Sequence, residues 1–337
     1  MKLDLFDYDL PPEAIAQCAV EPRDSSRLMV VHRASGRIEH RIFRDLLEYL
    51  SPGDLLVLNN TRVRAARLVG VKPTGARVEA LVLEILSDRR CRCLVKPGKR
   101  ALPGTHLTFA DGRTGRVVEK TDEGGRLIEM EAGEPLDVWL ERVGTTPLPP
   151  YIHTTIPDPG RYQTVYSQRT GSAAAPTAGL HFTRELLDDA RMRGIRVAEV
   201  TLHIGIDTFR PVKTPEIEAH EMHSEWYTVP SETVEAIGDC TGRVVAVGTT
   251  CVRTLESAAV SRREVRSGSG VTRLYIRPGY SFQCVDALIT NFHVPRSSLL
   301  ILVSALTGRD LILRAYQEAR DLGYRFLSLG DVMLLVE

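Results

Sequence analysis

The chain has 337 residues, 43% hydrophobic and 26% charged, with 43 basic and 43 acidic side chains, the composition of a soluble globular protein with room for about two compact units. No apolar run approaches the roughly 20 residues needed to span a bilayer, and Asp4 and Asp7 stand where a secretory leader needs basic and then apolar residues, so a cytoplasmic protein is expected. The six cysteines show no C-x-x-C spacing, which argues against structural zinc and against a disulfide framework.

Residues 43–50 carry apolar side chains at helical spacing, and 54–58 form a buried-strand run after the Pro52-Gly53 turn, an α/β opening. From about 67 to 130 the pattern changes to short alternating strands, clearest at 77–84 and 91–95, broken by Pro97-Gly98, Pro103-Gly104, Asp111-Gly112 and Gly124-Gly125. Regular turn spacing of this kind predicts a small all-β barrel or sandwich. The Pro147-Leu148-Pro149-Pro150 stretch reads as a stiff exit linker. The α/β rhythm then returns: helix 183–193, strand 195–203, helix 231–237, strand 243–248, helix 252–260, strand 285–290, two helices between 297 and 322, and strand 332–336. The expected architecture is therefore α/β, with a discontinuous catalytic domain of residues 1–61 and 151–337 and an inserted small β-barrel domain of residues 62–150.

Charge is unevenly spread. Residues 62–116 hold thirteen Lys/Arg against four Asp/Glu, and residues 117–141 hold two against eight. A cationic segment in the insert is a candidate nucleic-acid surface, although a solvated face accounts for the same excess.

In α/β folds, ligands collect where strand carboxyl ends meet helix N-termini, because backbone N–H groups there point outward. Three polar clusters are expected in that position: 175–183, for which Thr183 is an N-cap candidate; 248–256, with Thr249 and Thr250 followed one turn later by Arg253; and 290–296, directly after an apolar strand. None has the glycine spacing or the lysine of a phosphate loop. His181, His203, His220, His223 and His293 concentrate in the same half of the chain. The His220–His223 pair is at i,i+3 and lacks the helical metalloprotease pattern, so no metal is expected, and hydrogen bonding or proton transfer suits these imidazoles better.

Taken together, Asp7-Tyr8-Asp9-Leu10-Pro11, Glu21-Pro22-Arg23-Asp24-Ser25-Ser26-Arg27-Leu28, Asn59-Asn60-Thr61-Arg62-Val63, Tyr162-Gln163-Thr164-Val165-Tyr166, the block from Pro176 to Thr183, Thr201-Leu202-His203-Ile204-Gly205, Thr208-Phe209-Arg210-Pro211-Val212, the stretch from His220 to Glu225, the turn from Gly248 to Glu256, the stretch from Asp286 to Pro295 and Gly330-Asp331-Val332-Met333-Leu334 resemble the queuosine ribosyltransferase-isomerase family nearly end to end. Cys251 stands where that family is expected to have serine, Ile206-Asp207 replaces a small pair, and Arg64-Ala65 replaces a more apolar one.

The resemblance implies a large α/β domain with a barrel-like sheet and an inserted β-barrel. It also implies two substrates, S-adenosylmethionine and tRNA carrying 7-aminomethyl-7-deazaguanine, with S-adenosylmethionine consumed as ribosyl donor and no other cofactor. A monomer without a membrane partner is expected. Such a reaction needs a base beside the sulfonium, a donor for departing adenine, and polar groups to hold ribose and carboxylate. His181 and His203 are the proton-transfer candidates. Substrate binding is assigned to Thr177, Gly179, Phe182, Thr208, Arg210, His220, His223, Thr249, Thr250, Arg253, Glu256, Asn291 and His293, and RNA binding to Asn60, Arg62, Arg89, Arg92 and Lys96. Two rivals are a non-catalytic tRNA-binding protein and an S-adenosylmethionine-dependent methyltransferase; the second lacks a glycine-rich turn opening an N-terminal βαβ unit.

Overall fold

The structure, a computed structural model, describes residues 1–121, 124–154, 156, 158–205 and 212–337. It has two compact units, one formed by Met1–Arg62 with Pro149–Glu337 and the other by Val63–Leu148. No described helix is long and apolar enough to cross a membrane.

The first unit is built on a nine-stranded sheet in the order Gly268–Thr272, Glu225–Val229, Arg196–Leu202, Leu55–Asn59, Val244–Val247, Ala287–Asn291, Val332–Val336, Arg27–His32, Ile38–Ile42. Its four central strands, from Arg196–Leu202 to Ala287–Asn291, are mutually parallel. Parallel strands are covered on both faces and so read as unbroken apolar runs. Leu55 and Val57 accordingly join a core with helices Thr249–Ala258, Ser298–Thr307 and Arg309–Asp321 on one face. Leu56 and Leu58 join a second core with Phe43–Glu48 and Arg184–Met192 on the other. Thr183 caps the last of these helices, its Oγ1 accepting from the Leu186 N–H at 3.1 Å, as its sequence position implies.

The second unit is a closed six-stranded barrel in the order Arg126–Met130, Arg90–Lys96, Arg77–Ser87, Arg67–Val71, His106–Phe109, Thr114–Lys120. Two-residue alternation turns Val78, Ala80 and Val82 inward, and Trp139 of helix Leu136–Val143 packs edge-on against Phe109, ring centroids 5.4 Å apart. Cys91 and Cys93 are buried, free thiols of this core. The mixed α/β class with an antiparallel barrel agrees with the sequence. Strands Arg27–His32, Ile38–Ile42, Glu225–Val229 and Gly268–Thr272 and helix Leu136–Val143 are not among the sequence-based elements. The helix expected from residue 252 begins at Thr249.

Candidate active site

That early start follows from one residue. Gly248 has φ +88°, a left-handed conformation that side-chain-bearing residues avoid, and it turns strand Val244–Val247 directly into helix Thr249–Ala258. Thr249 and Thr250 thus occupy the first helical turn, and among the described residues no side chain caps it. The free N–H groups of such a terminus carry partial positive charge.

All three polar clusters meet at the carboxyl ends of the parallel strands. They line an open pocket, to which Thr177, Thr249, Thr250, Thr290, Asn291 and His293 contribute polar groups. Its apolar wall includes Ile204, Phe292, Leu299 and Leu327. Asn59, at the end of the neighbouring strand, pins the arrangement: Nδ2 donates to Thr250 Oγ1 and to the Leu202 carbonyl, both at 3.1 Å, while Oδ1 accepts from the Thr61 and Leu202 N–H groups. Tyr151 and Ser328 also line the pocket, their hydroxyls 2.6 Å apart. Asn59, Tyr151 and Ser328 have no role assigned from sequence. A paired asparagine closing an apolar strand is the signal for the first; nothing local marks the other two.

His181 lies behind the pocket. Thr177 Oγ1 donates to Asn291 Oδ1 at 2.8 Å, which leaves the Asn291 amide nitrogen facing His181 Nε2 at 3.4 Å. An amide nitrogen only donates, so Nε2 is the acceptor, and Nδ1 carries the proton toward Ser26 Oγ, 2.7 Å away. Burial, reinforced by the positive charges of Arg161, Arg325 and Arg23, lowers the imidazole from its usual value to about 3. It is therefore neutral throughout the physiological range. His181 also faces a smaller cavity that shares Ser328 with the main pocket. Burial likewise lowers His293 to about 3; its Nε2 is 2.9 Å from Thr290 Oγ1, and Tyr316 and Tyr8 bind its backbone.

Other assigned residues lie elsewhere. His203 does not line the pocket; Ile204 does, and the His203 ring stacks on Trp226 instead. Arg253 is buried and ion-paired with Glu225, and its Nε donates to the Leu274 carbonyl at 3.2 Å, while its buried Nη2 has no hydrogen-bond partner among the described residues; the ion pair sets it apart from the pocket lining. Burial alone raises the Glu225 carboxyl, but the neighbouring His223 imidazole and the charge of Arg253 hold it below its usual value. Glu256 is a structural carboxylate that accepts the N–H groups of Gln283, Cys284 and Val285 and the Tyr280 hydroxyl. Phe182 is core, edge-on to Phe43. Gly179 is a packing glycine, since a Cβ there would meet the Tyr166 hydroxyl. His220 packs edge-on against Tyr275, and His223 is 3.4 Å from Glu225. Thr208 and Arg210 lie outside the described residues. Cys251 is fully buried and its thiol is pushed up by burial, which makes it a packing group.

Of the RNA candidates, Asn60 is buried, bound to Glu199 and Thr201, and faces no solvent. Arg62, Arg89, Arg92 and Lys96 are exposed. Arg92 pairs with Glu84 at 2.8 Å and Arg89 Nε donates to the Met130 carbonyl.

A large α/β unit with a polar pocket at its strand ends, accompanied by a closed β-barrel, delimits the class of protein. A family model described as "Queuosine biosynthesis protein" matches residues 3–335. The chain is 57% identical to the S-adenosylmethionine:tRNA ribosyltransferase-isomerase of Symbiobacterium thermophilum and 53% identical to that of Heliobacterium modesticaldum, the alignments covering 100% of both chains in each case. It is similar to the crystal structure of S-adenosylmethionine tRNA ribosyltransferase from Thermotoga maritima, with a TM-score of 0.58 and 41% identity over 98% of this chain and 100% of the other. The chain belongs to this family of queuosine biosynthesis proteins and is a transferase enzyme.

Proposed function

We propose that the chain transfers and isomerises the ribosyl group of S-adenosylmethionine onto the 7-aminomethyl group of 7-aminomethyl-7-deazaguanine at the tRNA wobble position, in the cytoplasm. The products are epoxyqueuosine-containing tRNA, adenine and methionine. The observation that carries this reading is the convergence of three strand-end clusters on one pocket, in a chain whose full-length relatives are named for ribosyl transfer and isomerisation.

In this reading the uncapped N-terminus of Thr249–Ala258 receives the methionine carboxylate, because aligned peptide dipoles and free N–H groups favour an anion there. Thr177 and Asn291 hold the adenosine, and the wall of Ile204, Phe292, Leu299 and Leu327 shields its base. His181, rather than His203, is the proton-transfer group. A neutral imidazole accepts a proton through Nε2, and the long 3.4 Å contact from Asn291 is a weak bond that a ligand can replace. S-adenosylmethionine is itself consumed, so the reaction needs no further cofactor.

The test incubates the protein with S-adenosylmethionine and tRNA carrying the modified base, assaying adenine release and methyl transfer separately. Adenine release that requires the modified tRNA is the expected result. Methyl transfer without adenine would mark a methyltransferase, and RNA binding with neither product a non-catalytic RNA-binding protein.

A further inference from the structure

The His203 ring is held from three directions. Its Nδ1 is 2.8 Å from Thr61 Oγ1. Gly171 leaves the space the ring occupies, since a Cβ there would fall 2.5 Å from Nε2. The Trp226 indole lies over it with centroids 5.0 Å apart and planes inclined by 21°. The stack is not closed off from water: Trp226 is 37% exposed, and Val271, its cross-strand partner, is 65% exposed. An indole on a regular strand, backed by a ring that is itself fixed, is an aromatic surface whose orientation is set before any ligand arrives, and such preorganisation lowers the cost of binding.

The charges nearby complement a polyanion. Arg169 lies two residues before Gly171 on strand Arg169–Ser172 and so shares the side that Gly171 turns to His203, whereas Arg62, next to Thr61 on strand Thr61–Val63, projects to the opposite side. Both are exposed, and among the described residues neither has a carboxylate partner; Arg62 reaches only Ser167 Oγ, at 3.4 Å. A flat aromatic surface with an unneutralised arginine on the same side is the combination that binds unpaired nucleotides, in which every base offers a face to stack and every linkage a phosphate to neutralise.

We infer that Trp226, backed by His203, is a stacking platform for an unpaired nucleobase of the RNA substrate, with Arg169 taking an adjoining phosphate. The inference rests on the proposed function for the identity of the RNA as a substrate, and it adds a recognition element that the pocket does not contain.

The chain has only two tryptophans, and Trp139 is fully buried in the barrel. A Trp139→Phe variant therefore reports Trp226 emission alone, with residue 226 intact. Titration with an unmodified tRNA anticodon stem-loop should quench that emission in step with binding followed by anisotropy of labelled RNA. Trp226→Ala should weaken stem-loop binding by about 5- to 100-fold, the range usual for losing one base stack, while Trp226→Phe recovers most of the affinity and S-adenosylmethionine binding stays unchanged in both. Stem-loop binding that leaves Trp226 emission unaltered, or a folded Trp226→Ala protein with native RNA affinity, would overturn the platform and leave the proposed function standing. Failure of the unaltered protein to bind the stem-loop, whether unmodified or carrying the modified base, would overturn both.

Discussion

Ser26 Oγ and His181 Nδ1 lie 2.7 Å apart, both residues buried. Because Asn291 presents its amide nitrogen to Nε2, this contact takes the Nδ1 proton and keeps the opposite nitrogen available as a base. The chain Thr177, Asn291, His181, Ser26 thus joins the pocket to a fixed tautomer behind it. Proton transfer by a positioned side chain contributes about 100- to 10,000-fold. His181→Ala should therefore lower single-turnover adenine release by roughly 100-fold or more while S-adenosylmethionine affinity changes little, because the loss falls mainly on the transition state. Ser26→Ala should retain more activity, since it removes the orienting partner and leaves the base. Near-native single-turnover rates in folded His181→Ala would end the assignment.

The same burial makes a statement about stability. His181 and His293 are each lowered to about 3 in the folded chain, against about 6.5 when unfolded. Between those values the unfolded state binds the extra proton, so the contribution is fully present above about pH 6.5 and is lost as pH falls toward 3. Each histidine should add up to about 1.4 kcal/mol of lost stability per pH unit in that window. Urea unfolding at pH 6, 5 and 4 should show a shallower decline for His293→Asn than for the unaltered protein. Parallel declines would mean that His293 titrates normally when folded.

Arg253 illustrates what the sequence conceals. Its place one turn into a helix after two threonines is legible, and so is the helix, but its partner Glu225 is 28 residues away on a strand whose position depends on sheet order. The residue type suits an anion site equally well in either setting. His203 and Ile204 make the same point at shorter range: alternation along an extended segment sends neighbours to opposite sides, and local sequence does not say which side holds the ligand. Clusters at strand ends, by contrast, are legible because apolar runs and the polar turns after them fix where strands stop. Their convergence follows from parallel neighbours having their ends on one edge.

Removing one member of a buried ion pair leaves the other unpaired in a poorly solvating environment, at a cost of about 3–5 kcal/mol. Arg253→Ala should accordingly destabilise the folded protein by that order, with any loss of S-adenosylmethionine affinity tracking the unfolded fraction. Adding Glu225→Gln should restore part of the stability, because the stranded carboxylate is then neutral. A stable Arg253→Ala protein with selectively weakened S-adenosylmethionine binding would return Arg253 to the pocket.

The barrel arginines test RNA recognition independently of Trp226. Arg92 and Glu84 are both about half exposed in their 2.8 Å pair, and exposed pairs contribute only about 0–1 kcal/mol, so the guanidinium can exchange this carboxylate for a phosphate at little cost. Lys96 is exposed on the same strand, Arg90–Lys96. If both touch the RNA backbone, each charge releases counterions on binding, and the slope of log K against log salt should fall in magnitude by about 0.7–0.9 for every phosphate no longer neutralised. Arg92→Gln with Lys96→Gln should therefore weaken tRNA binding and reduce the slope by roughly 1.5, the sum for two phosphates, with S-adenosylmethionine binding unchanged. Neutral substitutions are preferred to charge reversal, because a new glutamate would repel RNA whether or not the native side chain touched it. A salt series superimposable on that of the unaltered protein would show that the cationic excess of this strand is a solvated face.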